Sequence, residues 1–475
     1  MRVRSLTIAA AVAALAIAGC ADMSGIATQA QLRQPASFNL DAGAPAPVPA
    51  QWWRAFGDEQ LDRLVEQALV GNPNLRIARA RLARAQAVSD VAGAALLPQV
   101  NGSLDITRQR YSETGLLPPP IAGSIRNSAT LQAGANWELD FFGKNRALLD
   151  SALGAVRAAQ ADADAARILL ASNVARGYFQ LARANDQIDV AQRTLAQREA
   201  QLRLVRDRVS AGLDTALELR QSEGSLPEAR QQLEALQEQA SLAQNALAAL
   251  VGEPNRAVVS AAPHIAGIRP LATASVIPAD LLGQRADIAA ARWRVEAAGD
   301  DIRSAKAQFY PDINLVAFAG LSSIGLGNLI NAGSRQWGVG PAIRLPIFEA
   351  GRLRANLRGK TADYDAAVES YNATVIEAIH EVGDQLASGR SIGLQQAQQR
   401  QAQQAGEAAY DIALQRYKAG LGNYLNVLAA ETAVLAQRRL AVDLAARALD
   451  SQVGLVRALG GGYMPTAESV AAAPK

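Results

Sequence analysis

Residues 72–100 align without a gap on residues 285–313, so the 475-residue chain is internally duplicated. Arg79 meets Arg292, Arg81 meets Arg294, Leu82 meets Val295, Ala85 meets Ala298 and Pro98 meets Pro311. Further on, Val209-Ser210-Ala211-Gly212-Leu213 matches Tyr417-Lys418-Ala419-Gly420-Leu421, then Leu217 matches Leu425 and Glu223 matches Glu431. Any fold for this chain has to place two copies of one unit. Each copy reads helix, two strands, long helix, turn, long helix.

The strands are read from period-two alternation. From Leu131 to Phe141 every second residue is apolar and its neighbour is polar or Gly. Trp337, Val339, Pro341, Ile343, Leu345 and Ile347 repeat the pattern, as do Val100, Leu104 and Ile106, whereas 313–321 alternates less cleanly. Segments of about ten such residues suit membrane-spanning β-strands. Half-buried soluble hairpins alternate too, and the export signal described below tips the balance towards membrane. The hairpin connections around 116–123 and 322–334 are long and rich in Gly, Pro, Ser and Asn, like exterior loops of barrels.

Seven-residue spacing governs the rest. Val174, Leu181, Ile188, Leu195, Leu202 and Val209 form one series; Leu219, Leu226, Leu233, Ala240 and Leu247 form a second; Leu428, Leu435, Val442, Leu449 and Val456 form a third. Such spacing implies left-handed coiled packing. A helix of some sixty residues would be on the order of 90 Å long. Pro227, following Gly224-Ser225, is expected to kink its helix. Aromatic residues make up only 5% of the chain, so helices must pack through Ala, Leu and Val.

At the amino terminus Arg2 and Arg4 precede an apolar stretch from Ile8 to Gly19, too short to span a bilayer and suited to a signal-peptide core. It ends in Ile17-Ala18-Gly19-Cys20, which resembles a bacterial lipobox, so Cys20 is expected to be acylated and to become the first mature residue. Ala21 and Asp22 follow; by resemblance to lipoprotein sorting signals this favours the outer membrane. The Pro-rich run to about Ala50 reads as a tether.

Several function classes are set aside. The only Cys and the two His residues, His264 and His380, cannot by themselves build a zinc, iron–sulfur or dithiol centre. Net charge is +3 with both signs interspersed, unlike a nucleic-acid-binding stripe. His380-Glu381 has no second His at metalloprotease spacing, and Gly325-Leu326-Gly327 lacks the context of a dinucleotide loop. The Gln-rich run 395–404 reads as a polar helix face, with an adaptor groove as the alternative. No enzyme chemistry and no cofactor are expected.

Taken in order, Trp52-Trp53-Arg54-Ala55-Phe56-Gly57-Asp58, Asn72 to Leu75, Trp137-Glu138-Leu139-Asp140-Phe141-Phe142-Gly143, Phe309-Tyr310-Pro311, Leu345-Pro346-Ile347-Phe348 with Gly351-Arg352, and Ala458-Leu459-Gly460-Gly461-Gly462-Tyr463 resemble the TolC-like bacterial outer-membrane efflux proteins, in their lipoprotein branch. Departures stand at Ala286, where the family usually has Pro, and at Arg292, where it usually has Glu. The resemblance implies a mainly α fold with membrane β, in which four strands per chain join a trimeric twelve-stranded barrel continuous with a helical periplasmic tunnel. Counting alone requires chains to pool strands, because bilayer-exposed edges are not viable, but allows two chains as well as three; the resemblance chooses three. It also implies a passive duct for small molecules, with a periplasmic adaptor, an inner-membrane resistance-nodulation-division pump and outer-membrane lipid as partners. A protein-secretion conduit and a periplasmic coiled-coil scaffold are the alternatives.

The expected layout is signal peptide 1–19, lipidated tether 20–50, equatorial and short helices 51–98, first hairpin 99–142, first long helix pair 143–262, linker and short helix 263–310, second hairpin 311–348, second long helix pair 349–460 and tail 461–475. A gate is expected where the long helices turn. Gly212 and Gly420 supply the reversals, Leu213 and Leu421 are candidate gate hydrophobes, and Arg208, Arg416 and Tyr417 are candidate ties. Asp214 is either a carboxylate ring or the N-cap of the following helix; Gly422 and Asn423 occupy the second turn, where the family often carries an acid. Cys20→Ser should abolish labelling by a fatty-acid analogue, and persistent labelling of that variant would refute acylation at Cys20.

Overall fold

The computed structural model describes residues 22–33, 48–254, 258–271 and 284–464; the expected signal peptide and Cys20 lie outside these. In chain order the elements are a 3-10 turn Trp52–Phe56, α1 (Glu59–Gly71), α2 (Pro73–Ala94), β1 (Gln99–Arg110), β2 (Ile125–Leu139), α3 (Lys144–Ser210), α4 (Ala216–Val251), α5 (Ala286–Ala307), β3 (Asp312–Ile324), β4 (Arg335–Arg344), α6 (Arg352–Lys418) and α7 (Tyr424–Ala458). The chain is mainly helical with one small sheet. The described residues divide into one compact unit of 22–32, 81–159 and 290–372, and another of 33, 48–80, 160–254, 258–271, 284–289 and 373–464.

The first unit contains the sheet, four antiparallel strands in the order β1-β2-β3-β4. Leu104 pairs with Leu131, Leu131 with Leu321 and Leu321 with Arg335, so even residues of β1 and odd residues of β2, β3 and β4 share a face. That face carries Val100, Leu104, Ile106, Leu131, Leu315, Trp337, Val339 and Ile343, all exposed in the single chain. The opposite face carries Asn101, Ser103, Asp105, Thr107, Ser128, Thr130, Gln132 and Asn136. Phe318 is an apolar residue on this polar face, and its ring lies over Gly338, where an added Cβ would come within 2.6 Å. The uneven alternation of β3 thus reflects an aromatic ring filling a glycine gap.

Local chemistry fastens sheet to helix within this unit. Asp140 accepts the amides of Asn145 (3.1 Å) and Arg146 (2.7 Å), which satisfies the start of α3. Lys144 Nζ bridges Glu138 of β2 (2.6 Å) and Asp312 of β3 (3.1 Å). Phe142 stacks on Tyr310 at 4.9 Å. Gly154 lets α3 approach α5, since a Cβ there would stand 3.1 Å from that of Ala297. The segment 22–33 lies along α6: Asp365 accepts the amides of Gln29 and Ala30, both at 3.0 Å, and Arg354 donates to the Asp22 and Ser24 carbonyls.

In the second unit Trp52, Trp53, Phe56, Leu61, Val174, Tyr178, Phe179 and Leu181 form one core. Asp58 caps α1 through the amides of Gln60 and Leu61 and also accepts the Tyr178 hydroxyl at 2.7 Å. Of the heptad series, Val174, Leu181, Leu202, Leu247 and Leu449 are buried, while Ile188, Leu195 and Val442 are half-buried. Pro227 sits inside α4 without ending it. The glutamines of 395–404 are more than a polar face: Gln399 donates to the Gln437 carbonyl (2.8 Å) and Gln396 to that of Leu444 (3.3 Å), joining α6 to α7. Arg285, at the family departure, is buried and held by Asp287 (2.7 Å), Glu381 (2.8 Å) and the Ala458 carbonyl (3.1 Å).

Gly320 pairs with Gln132, and a Cβ there would lie 2.2 Å from the Leu131 carbonyl oxygen. Gly320→Val should therefore break the β2–β3 ladder at a cost of at least about 2 kcal/mol. Faster limited proteolysis of the two hairpins in purified protein would register this, and an unchanged digestion pattern would count against the pairing.

Candidate functional site

Both long-helix reversals close in the same way. The Gly212 amide bonds to the Val209 carbonyl (3.0 Å) and Leu213 to Arg208 (2.9 Å); Gly420 bonds to Tyr417 (3.0 Å) and Leu421 to Arg416 (2.8 Å). These are paired Schellman closures, and each glycine has φ of 72°, the left-handed geometry that disfavours a side chain. The next helix then starts on a cap. Thr215 Oγ1 accepts from Leu217 N (3.2 Å) and Glu218 accepts from Thr215 N (3.0 Å), while Asn423 Oδ1 accepts from Asn426 N (3.1 Å). The cap of α4 is thus Thr215, and the expectation that Asp214 serves as that cap is corrected.

Asp214 turns to other partners. Its carboxylate accepts from Arg208 Nε (3.0 Å) and Nη2 (3.3 Å) and takes a short hydrogen bond from the Tyr417 hydroxyl. The Arg208 guanidinium lies 4.6 Å above the Tyr417 ring, a cation–π contact. Tyr417 in turn packs on Tyr424 at 5.5 Å between centroids, both rings being about 1% exposed. Two residues of the first repeat and one of the second are thereby joined in a single tie. Burial pushes the Asp214 carboxyl up, but the hydrogen bonds from Arg208 and Tyr417 outweigh it and hold the group below its usual range. Burial, with Asp214 as acceptor, pushes the Tyr417 phenol up, so it stays a donor.

The other candidates are arranged differently. Arg416 lies at the surface and reaches the Leu421 carbonyl, at 3.4 Å. Its counterpart Arg208 finds Asp214, whereas Gly422 occupies the place equivalent to Asp214 in the second repeat. Leu213 and Leu421 are 65% and 70% exposed, so neither is buried by turn packing within the chain.

Sequence reasoning overlooked the polar cluster behind the tie. Glu431 is 1% exposed; it accepts from Gln197 (3.0 Å) and Gln201 (3.4 Å) and lies 3.5 Å from Arg198. Gln201 also donates to the Tyr410 hydroxyl at 2.8 Å. Burial raises the Glu431 carboxyl against the lowering effect of Arg198 and the two glutamines. The available signal was a charge between Leu428 and Leu435 on the apolar side of α7. Counting only His and Cys also overlooked a His–carboxylate group. Asp186, Asp189 and His264 bring ligand atoms within 4.8 Å of one another. There Asp186 holds the His264 ring at 2.7 Å and the Ile265 amide at 3.2 Å, which accounts for the group as a loop fastening. His380 lies exposed on α6, 3.5 Å from Asp384.

Comparison with known proteins fits this geometry. The outer membrane efflux protein family matches residues 64–253 and 277–461. The pyoverdine export outer membrane protein OpmQ of Pseudomonas aeruginosa is 33% identical over 451 residues, 94% of each chain. The fusaric acid resistance protein FusA of Burkholderia cepacia is 37% identical over 375 residues, 75% of this chain and 69% of that one. Among solved structures, the outer membrane protein VceC of Vibrio cholerae superposes with a TM-score of 0.83 at 37% identity, over 88% of this chain and all of the other. With its duplicated helix pairs, two-faced sheet and matching length, this chain belongs to the outer membrane efflux protein family.

Proposed function

We propose that the chain is the outer-membrane duct of a tripartite efflux pump, a passive channel for small organic molecules. The observation that carries this reading is the four-stranded sheet, apolar on one face and polar on the other, with the outer edges of β1 and β4 unpaired among the described residues. Hydrocarbon does not tolerate such edges, so three copies pool their strands into a barrel of twelve. The polar face then lines a wet passage. The long helices continue it into the periplasm, where an adaptor and an inner-membrane resistance-nodulation-division pump dock and supply the energy. An acyl chain on Cys20 adds an anchor. The relatives named above are a pyoverdine export protein and a fusaric acid resistance protein, which supports small organic cargo.

The gate lies at the two reversals. Leu213 and Leu421 form its apolar constriction, and the Asp214–Arg208–Tyr417 tie latches the two turns of each chain together. Asp214 acts here as the acceptor of a latch, with its charge matched by Arg208, and no acid stands at the second turn to double it.

Purified protein should form trimers that conduct in planar bilayers, and a deletion strain should become at least fourfold more susceptible to several organic toxicants; a non-conducting monomer would overturn the duct. Asp214→Ala and Tyr417→Phe should each raise resting conductance. Losing a charge-assisted bond of about 1.5 kcal/mol shifts a closed-to-open ratio about tenfold. Arg416→Ala should change it much less. Because Asp214 titrates below its usual range in the closed tip, the latch should hold through neutral and mildly acidic pH. It should fail only as pH falls through that depressed value, a profile that Asp214→Ala should abolish in single-channel recordings.

A further inference from the structure

We propose that the loop-side rim of the sheet's apolar face binds the phosphate groups of a phosphorylated glycolipid in the outer leaflet. This rests on the reading of the sheet as part of a membrane barrel. Along the apolar face of β1 the residues run Val100, Gly102, Leu104, Ile106, then Arg108 and Arg110. On β4 the same face begins with Arg335 and continues as Trp337, Val339, Pro341 and Ile343. These three arginines are the only charged residues that the four strands place on this face. The strand carboxylates Asp105, Glu138 and Asp312 all stand on the opposite face.

Their position along the strands is as telling as their charge. Arg110 ends β1 where the 111–124 connection begins, and Arg335 opens β4 where the 325–334 connection ends. The helices join the sheet at its other end, where Phe141, Phe142, Ile347 and Phe348 are exposed. On the apolar face of the strands all the charge therefore lies at the loop end. A guanidinium is costly at hydrocarbon depth, so Arg108, Arg110 and Arg335 mark the level where acyl chains give way to headgroups. The fork of N–H donors on Arg matches phosphate oxygens two at a time. Arg110 already pairs with the exposed loop residue Glu113 at 2.9 Å; Arg108 and Arg335 have no acidic partner among the described residues. They also belong to the two edge strands. Closing the barrel sets β4 of one copy beside β1 of the next, bringing Arg335 of one copy alongside Arg108 and Arg110 of the adjoining one. Each trimer would carry three such clusters, facing an outer leaflet of phosphorylated lipid.

The test measures binding of diphosphoryl lipid A, chemically dephosphorylated lipid A and inorganic phosphate to detergent-purified trimers of wild type, Arg108→Gln/Arg335→Gln and Arg108→Lys/Arg335→Lys. Wild type should hold the diphosphoryl form at least tenfold more tightly than the dephosphorylated one. The Gln variant should lose at least fivefold, and the Lys variant, which keeps the charge, should lose clearly less. Equal affinity of wild type and the Gln variant, or no preference for the phosphorylated form, would overturn the proposal. Inorganic phosphate bound as tightly as the glycolipid would overturn the lipid assignment. Planar-bilayer conductance of the same preparations separates the two readings: a conducting wild type without phosphate preference refutes only the rim, while a non-conducting wild type refutes the barrel beneath it.

Discussion

A backbone amide or carbonyl left unpaired in hydrocarbon costs several kcal/mol, and a sheet of four strands presents a row of them along each outer edge. Most of what this chain does follows from that penalty. In a bilayer the sheet of one chain would leave both edges open, which is why the proposed duct pools strands from several copies. Side-chain solvation separately accounts for the two faces, one apolar and one polar, that alternate along each strand. The Asp140 cap and the Lys144 bridge to Glu138 and Asp312 then fasten the sheet to the start of α3 through charge-assisted bonds that survive next to water.

Duplication and divergence share the work at the turns. Both reversals keep the same pair of closing hydrogen bonds and the same glycine geometry, which is the part of the design that repetition preserves. The chemistry placed on them differs. Asp214 finds Arg208 and, across the repeat, Tyr417, whereas the equivalent Gly422 leaves Arg416 at the surface. A symmetric scaffold thus carries an asymmetric tie. Buried polar side chains elsewhere, Gln201, Gln399 and Glu431, bond across the seams between long helices. Directional bonds of this kind specify one alignment of neighbouring helices.

The sequence by itself determined the periodic features. Period two located most of the strands, period seven located α3, α4 and α7, and the duplication supplied α6 and placed Gly212 opposite Gly420, because strand and helix geometries repeat over a few residues. β2 nevertheless starts at Ile125, ahead of the alternation read from Leu131, and β4 ends at Arg344, before Leu345 and Ile347. Hydrogen-bond pairing with the neighbouring strand, rather than alternation, sets those limits.

Only the tertiary structure decided which polar residue meets which. Asp214 could cap a helix or bind a distant partner on local grounds alone. Thr215 took the cap, since its side chain and Glu218 close a local box, and that freed Asp214 for Arg208 and for Tyr417, 203 residues away. For Glu431 the sequence showed a charge on the apolar side of α7 but not its partners, Gln197, Gln201 and Arg198 of α3. Hydrogen bonds and charge pairs depend on distances of a few tenths of an ångström between remote segments, and no sequence spacing encodes those.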